Sequence, residues 1–180
     1  NDLSKNDERY EKSGVSQRLD RLHHEFTERK MSTEQLISTV QNGSAQLAVA
    51  ALRLTRESMK RSGAEKASLI QAIRDQVHSG NAHAVQAASE ILGHHGSTRD
   101  IPVLLQRLAH VPESDQVLRQ TMRIAIRNLY QRAGKDSPIW NEVPTRAAAS
   151  IFLGLDRKEV SKGLLPVSYT HLRAHETVRN

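Results

Sequence analysis

The 180-residue chain has no cysteine. That excludes disulfides, thiolate metal sites, a cysteine nucleophile and covalent haem attachment through a C-x-x-C-H motif. Only 3% of residues are aromatic. Alanine and leucine dominate the apolar set, which suits thin helical layers in close contact more than a thick globular core. No segment alternates apolar and polar residues over a strand's length, and β-branched residues are scattered. No apolar run approaches the ~18 residues that a membrane-spanning helix needs. There is no starting methionine and no signal-like apolar stretch. The chain therefore reads as an internal piece of a longer protein.

Against these absences stands a repeated helical unit. Residues 82–92 (AHAVQAASEIL) and 115–125 (DQVLRQTMRIA) carry small or apolar residues at matching positions, 33 residues apart. Residues 45–54 (AQLAVAALRL) match the first of these at an offset of 37. A short-period repeat of helix pairs implies an α-solenoid, which presents a surface rather than enclosing a reaction chamber. The expected fold is all-α, a stack of antiparallel helix pairs.

The punctuation agrees. Residues 1–12 are polar and mixed in charge and read as a frayed start; 13–43 hold the first helices. Val15, Leu19, Leu22 and Phe26 recur at helical spacing. Ser32 followed by Gln35 has the form of a capping box, and Asn42 with Gly43 suits a left-handed helix stop. Ser44 is expected to cap the next helix, with Leu47, Ala50, Ala51 and Leu54 inward, and Ser62 with Gly63 to break it. Leu69, Ile70, Ile73 and Val77 form the following stripe. Asn81 caps a helix carrying Ala84, Val85, Ala88, Ile91 and Leu92, which Gly93 is expected to end. Pro102 fits a first helical turn, where the N–H it lacks would have no partner; Leu104, Leu105 and Leu108 follow inward. After Pro112, Ser114 is expected to cap a long helix with Val117, Leu118, Thr121, Ile124, Ala125 and Leu129 buried. A short helix is expected to start at 138–140, and Pro144 to open a last one at 145–155. The mid-helix alanines Ala50, Ala51, Ala87 and Ala88 would let neighbouring helices approach closely.

Candidate chemistry is sparse. His171 and His175, spaced i, i+4 with Glu176 after them, lack the glutamate that a zincin motif places directly after its first histidine. His23 with His24 and His94 with His95 are adjacent pairs, which on a helix diverge by about 100°; His78 and His83 flank a turn. No G-x-S-x-G elbow, G-x-x-x-x-G-K-[ST] loop or G-x-G-x-x-G fingerprint occurs. Asp100, Glu113 and Asp115 fall near helix starts, where a carboxylate favours the positive end of the dipole. The reading is of a non-enzyme with no cofactor and no metal site. Net charge is +6, with cations interleaved among acids. The best binding candidate is a basic ridge formed by Arg119, Arg123 and Arg127 in an i, i+4, i+8 row, with Arg53, Arg56 and Lys60 along an earlier helix. Tyr130 and Trp140 are expected as buried wedges.

The segment 88–93 (ASEILG), then Asp100, Ile101 and Pro102, then 118–127 (LRQTMRIAIR) resembles HEAT repeats of the short, lyase-like kind. The resemblance covers about 44–155 and implies a scaffold or protein-interaction array; HEAT arrays also serve in nucleic-acid binding, the alternative for which the basic ridge stands. A narrower likeness, in 123–128 (RIAIRN) and 143–149 (VPTRAAA), is to the helical-repeat region of large secreted bacterial proteins of the membrane-bound dehydrogenase type. There a propeller precedes the repeats and a haem-binding cytochrome domain follows. That resemblance implies an accessory segment in an extracytoplasmic parent; without it the expected location is cytoplasmic. Finally, 156–180 reads as a tail. Its stretch 166–177 (PVSYTHLRAHET) is similar to a peptide produced when sequencing-adapter DNA is translated, which implies a non-native end from about 166.

Overall fold

The structure, a computed structural model, describes residues 3–59 and 64–133. Among them every regular element is helical, so the all-α expectation holds. No helix of the described residues is long and apolar enough to cross a membrane. The expected helices starting at 138–140 and spanning 145–155, Trp140, Lys60, Ser62, Gly63 and the whole tail with His171, His175 and Glu176 lie outside the described residues. The chain divides into two compact units, with the boundary between His95 and Gly96.

The first unit holds α1 (Leu3–Thr27), α2 (Thr33–Asn42), α3 (Ala45–Ser58), α4 (Ala64–Ser79) and α5 (Ala82–His95). α1 extends back through most of the segment expected to fray. α2 packs on α3 and on α4; α3 packs on α1 and on α5; α4 packs on α5. The 37-residue offset survives in three dimensions. Leu36 and Ile73, Val40 and Val77, Leu47 and Ala84, and Ala51 and Ala88 are equivalent positions, and all are buried. Polar bonds tie α2 to α4 along their length: Thr33 Oγ1 donates to Glu65 Oε2 at 2.8 Å, and Gln41 Nε2 to Asp75 Oδ2 at 3.4 Å.

Caps explain where these helices begin. Ser32 and Gln35 form the expected capping box, with the Gln35 N–H donating to Ser32 Oγ at 3.2 Å and the Ser32 N–H to Gln35 Oε1 at 2.8 Å. Backbone and Ser32 hydrogen bonds also hold the neighbouring Glu34 carboxyl below its ordinary pKa. Ser44, in contrast, makes no side-chain cap bond, so the expected cap there is corrected. Asn81 does cap, its Oδ1 accepting from the N–H groups of His83 and Ala84, both at 3.1 Å. We predict that Ser32→Ala lowers stability by about 1 kcal/mol while Ser44→Ala changes it by only a few tenths, both read by urea unfolding. Equal losses would show that the Ser32 box contributes nothing beyond propensity.

Helix ends depart from expectation twice. Gly43 is not left-handed; it sits at φ −70°, ψ 160°. Its need for glycine is steric, because a Cβ there would stand 2.4 Å from the Thr39 carbonyl oxygen; at the equivalent Gly80 it would stand 2.4 Å from that of Gln76. The left-handed stop belongs instead to Arg29, φ 56°. Lys30 N–H bonds to Glu25 O at 2.9 Å and Arg29 N–H to Phe26 O at 3.1 Å, the paired pattern of a Schellman motif. A side chain in this conformation is strained. Arg29→Gly should therefore raise stability by ~0.5–1 kcal/mol, visible as a higher urea midpoint at unchanged slope; a lower midpoint would contradict the strain. α5 also runs past Gly93, which is buried within the helix, so this glycine serves packing and not termination.

The second unit contains a 3₁₀ turn (Thr98–Asp100), α6 (Ile101–Ala109) and α7 (Gln116–Ala133). Asp100 is fully buried, and its Oδ2 accepts the Ser97 N–H at 2.6 Å, while Pro102 occupies the first turn of α6. Asp115, not Ser114, caps α7: its Oδ1 accepts the Leu118 N–H at 3.0 Å. α7 packs on α6 and on the 3₁₀ turn, and its buried residues are Leu118, Met122, Ala125, Ile126, Leu129 and Tyr130. On α6, Leu104 and Leu108 are buried, and Leu105 is half-buried. The expected stripe on α7 needs correcting, since Val117 is 65% exposed and Ile124 43% exposed. Two stripes on this helix fit a 3.6-residue period, and the one holding Met122 and Ile126 is the buried one. Tyr130 is a buried wedge, as expected.

Candidate docking groove

Within the first unit, α3 and α5 leave an open groove of about 600 Å³. Its course follows from the repeat. Ala45 and Gln46 open one end beside Asn81 and His83, at the N-termini of both helices; Arg56 and Glu57 lie at the other end with Glu90 and Ile91. The Thr33–Glu65 and Gln41–Asp75 bonds set α2 and α4 in the same direction, and each turns back through a short connection into α3 or α5, so the two walls run in the same direction. From Ala45 to Glu57 the wall is ~18 Å long at 1.5 Å per residue.

The floor is made of small groups. Val49 on α3 and Ala87 on α5 are half-buried, whereas Ala51, two residues on, and Ala88, the next residue, are fully buried. Of the alanines expected to allow close approach, Ala51 and Ala88 do so. Ala87 has the opposite consequence: its short side chain leaves the groove open. Repeat-equivalent positions face into it from both walls, Gln46 with His83, Val49 with Gln86, and Arg53 with Glu90. Arg53 and Glu90 thus oppose each other in sign, yet no ion pair joins them among the described residues. Glu90 Oε1 accepts from Gln86 Nε2 on its own helix at 3.5 Å.

The expected basic ridge is distributed differently. Arg53 and Arg56 are exposed and line the groove, while Lys60 lies outside the described residues. Arg119, Arg123 and Arg127 belong to the second unit and are half-buried. Arg119 Nη1 donates to the Val111 carbonyl at 2.6 Å, closing the α6–α7 connection. The Nε of Arg123 is buried without a hydrogen-bond partner. Their stems thus cover the flank of α7, as long cationic side chains do. His94 and His95 close α5 with ring centroids 6.3 Å apart, and His23 and His24 are exposed on α1. Among the described residues, no group of three or more His, Asp or Glu side chains could hold a metal ion.

Val49, Gln86 and Glu90 were not singled out by sequence reasoning, and Ala87 was read only as a close-approach alanine. The signal was available: the 37-residue offset that aligns the cores also aligns Val49 with Gln86 and Arg53 with Glu90. Compared with known protein families, characterised proteins and solved structures, the chain matches none.

Proposed function

We propose that this chain is a non-catalytic, HEAT-like helix-pair array, a segment of a larger protein that docks a partner protein. The observation that carries the reading is the α3/α5 groove, three helical turns long, with an apolar floor and polar rims. Its volume falls in the range of binding clefts, and a groove between two parallel helices fits a third helix laid along it. Repetition of the pair α2–α3 as α4–α5 supports a solenoid, in which each added pair would extend this surface.

Filling the floor tests the reading. Ala87→Arg should abolish retention of a nuclease-resistant protein partner from the source cell, while Gln71→Arg, on the exposed side of α4, should leave it unchanged. Equal retention by both variants would move the docking surface elsewhere.

A second reading, nucleic-acid binding, draws on one observation: α7 carries four arginines and no carboxylate. It is weakened by the half-burial of three of them and by the Arg119 bond to Val111. Duplex DNA affinity that falls steeply with salt would favour it. The third reading, an accessory segment of a haem-binding dehydrogenase-like protein, rests on the 123–128 and 143–149 resemblance alone.

A further inference from the structure

We infer that the partner of the α3/α5 groove is an amphipathic helix with carboxylates along one flank, seated so that they meet the α3 wall. The inference rests on the docking reading and adds the chemistry of the occupant. Arg53 and Arg56 stand three residues apart on the groove side of α3, both exposed. Among the described residues neither has a hydrogen-bond or ion-pair partner. Two guanidinium groups at this spacing share one helix face. Each can take a carboxylate in a two-pronged bond that a lysine could not make.

The opposite wall breaks the symmetry. There the equivalent of Arg53 is Glu90, already engaged by Gln86. A carboxylate directed at α5 would meet like charge, so an incoming helix is oriented as well as held. Between the walls, Val49 and Ala87 are too short to fill the gap, and apolar side chains at i, i+4 and i+7 of the incoming helix would reach them. A nucleic-acid backbone would also meet Arg53 and Arg56. It would gain nothing from the apolar floor, however, and its uniform negative charge would be repelled by Glu90.

A displayed library of 18-residue helices decides the matter, with Leu, Ile or Phe at i, i+4 and i+7 and an equal mixture of Glu, Lys and Gln at the flanking positions. The 180-residue chain is the bait. We expect Glu to rise at least threefold over input on one flank. On Arg53→Glu/Arg56→Glu bait, whose substitutions are at exposed positions and whose helical circular dichroism is expected to match the native chain's, the same positions should turn to Lys. Unchanged Glu frequency, or the same enrichment on both baits, overturns the charge assignment. Selected helices should bind Ala87→Arg bait at least tenfold more weakly. If that loss appears without Glu enrichment, the docking reading stands and this inference alone fails. If selected helices bind Ala87→Arg equally well, the docking reading fails. No enrichment on the native bait overturns both, as does binding of 20-base-pair duplex DNA through Arg53 and Arg56 in its place.

Discussion

Ala88→Glu should cost the first unit about 4 kcal/mol or more and lower its melting temperature by more than ~15 °C. Ala88 has no exposed surface, and it lies on α5, which packs against both α3 and α4. A glutamate there has to leave its carboxylate without water or an opposite charge, or force the helices apart. Against a total stability of ~5–15 kcal/mol, that loss is large. The effect has a pH signature. Burial raises a carboxyl's pKa in the folded state above the ~4.3 of the unfolded chain. The destabilisation relative to the native sequence should therefore be smallest below about pH 4 and grow as pH rises through the folded pKa. Ala82, exposed at the start of the same helix, should accept glutamate with a melting change within about 2 °C. Thermal unfolding followed at 222 nm reads both. If Ala88→Glu melted with the native protein, α5 would have to bury a different face.

In the second unit, Ile126→Ala should cost about 3 kcal/mol, whereas Val117→Ala should change stability by less than ~0.5 kcal/mol. Ile126 is completely buried between α7 and its packing partners, and Val117 is 65% exposed. The contrast is informative because both are β-branched residues on one helix, and removing either gives the helix a better former. Only Ile126 leaves a cavity. Chemical denaturation of the two variants measures the difference directly. Equal costs would show that the face bearing Val117, Thr121 and Ile124 is packed in solution.

Those two cases mark what was legible in the sequence. In the first unit the inward residues of α4 and α5 were read correctly, because each helix has one apolar stripe and polar residues elsewhere. α7 has two, and both satisfy a helical period. Choosing between Val117–Ile124 and Met122–Ile126 requires knowing what the helix packs on, which is non-local. The 33-residue alignment with α5 pointed to the wrong one, since it places Val117 at the position of buried Ala84 and Ile124 at that of buried Ile91. Helix ends were read from residue identity, yet identity does not carry conformation: Arg29 adopts the left-handed form that Gly43 does not need. The groove was hidden for a related reason. Sequence reasoning sorted residues into buried and solvated, and Val49 and Ala87 are neither. Of the cations singled out, Arg53 and Arg56 lie at the groove, while the α7 row is half-buried, a property set by non-local packing.

The connections at Gly43–Ser44 and Gly80–Asn81 have a consequence for how such a chain can change length. Each joins one pair's first helix to its second through a glycine pressed against the carbonyl four residues back. A cut after Gly43 rejoined before Asn81 would remove 37 residues and recreate the same junction, with Ala84 arriving where Leu47 had been. Loss or gain of a single residue inside α3 would instead swing every later side chain of that helix by about 100°. Change in whole periods conserves each contact surface, and change in any smaller step destroys one. The lineage of this chain is therefore expected to grow and shrink in units of a helix pair.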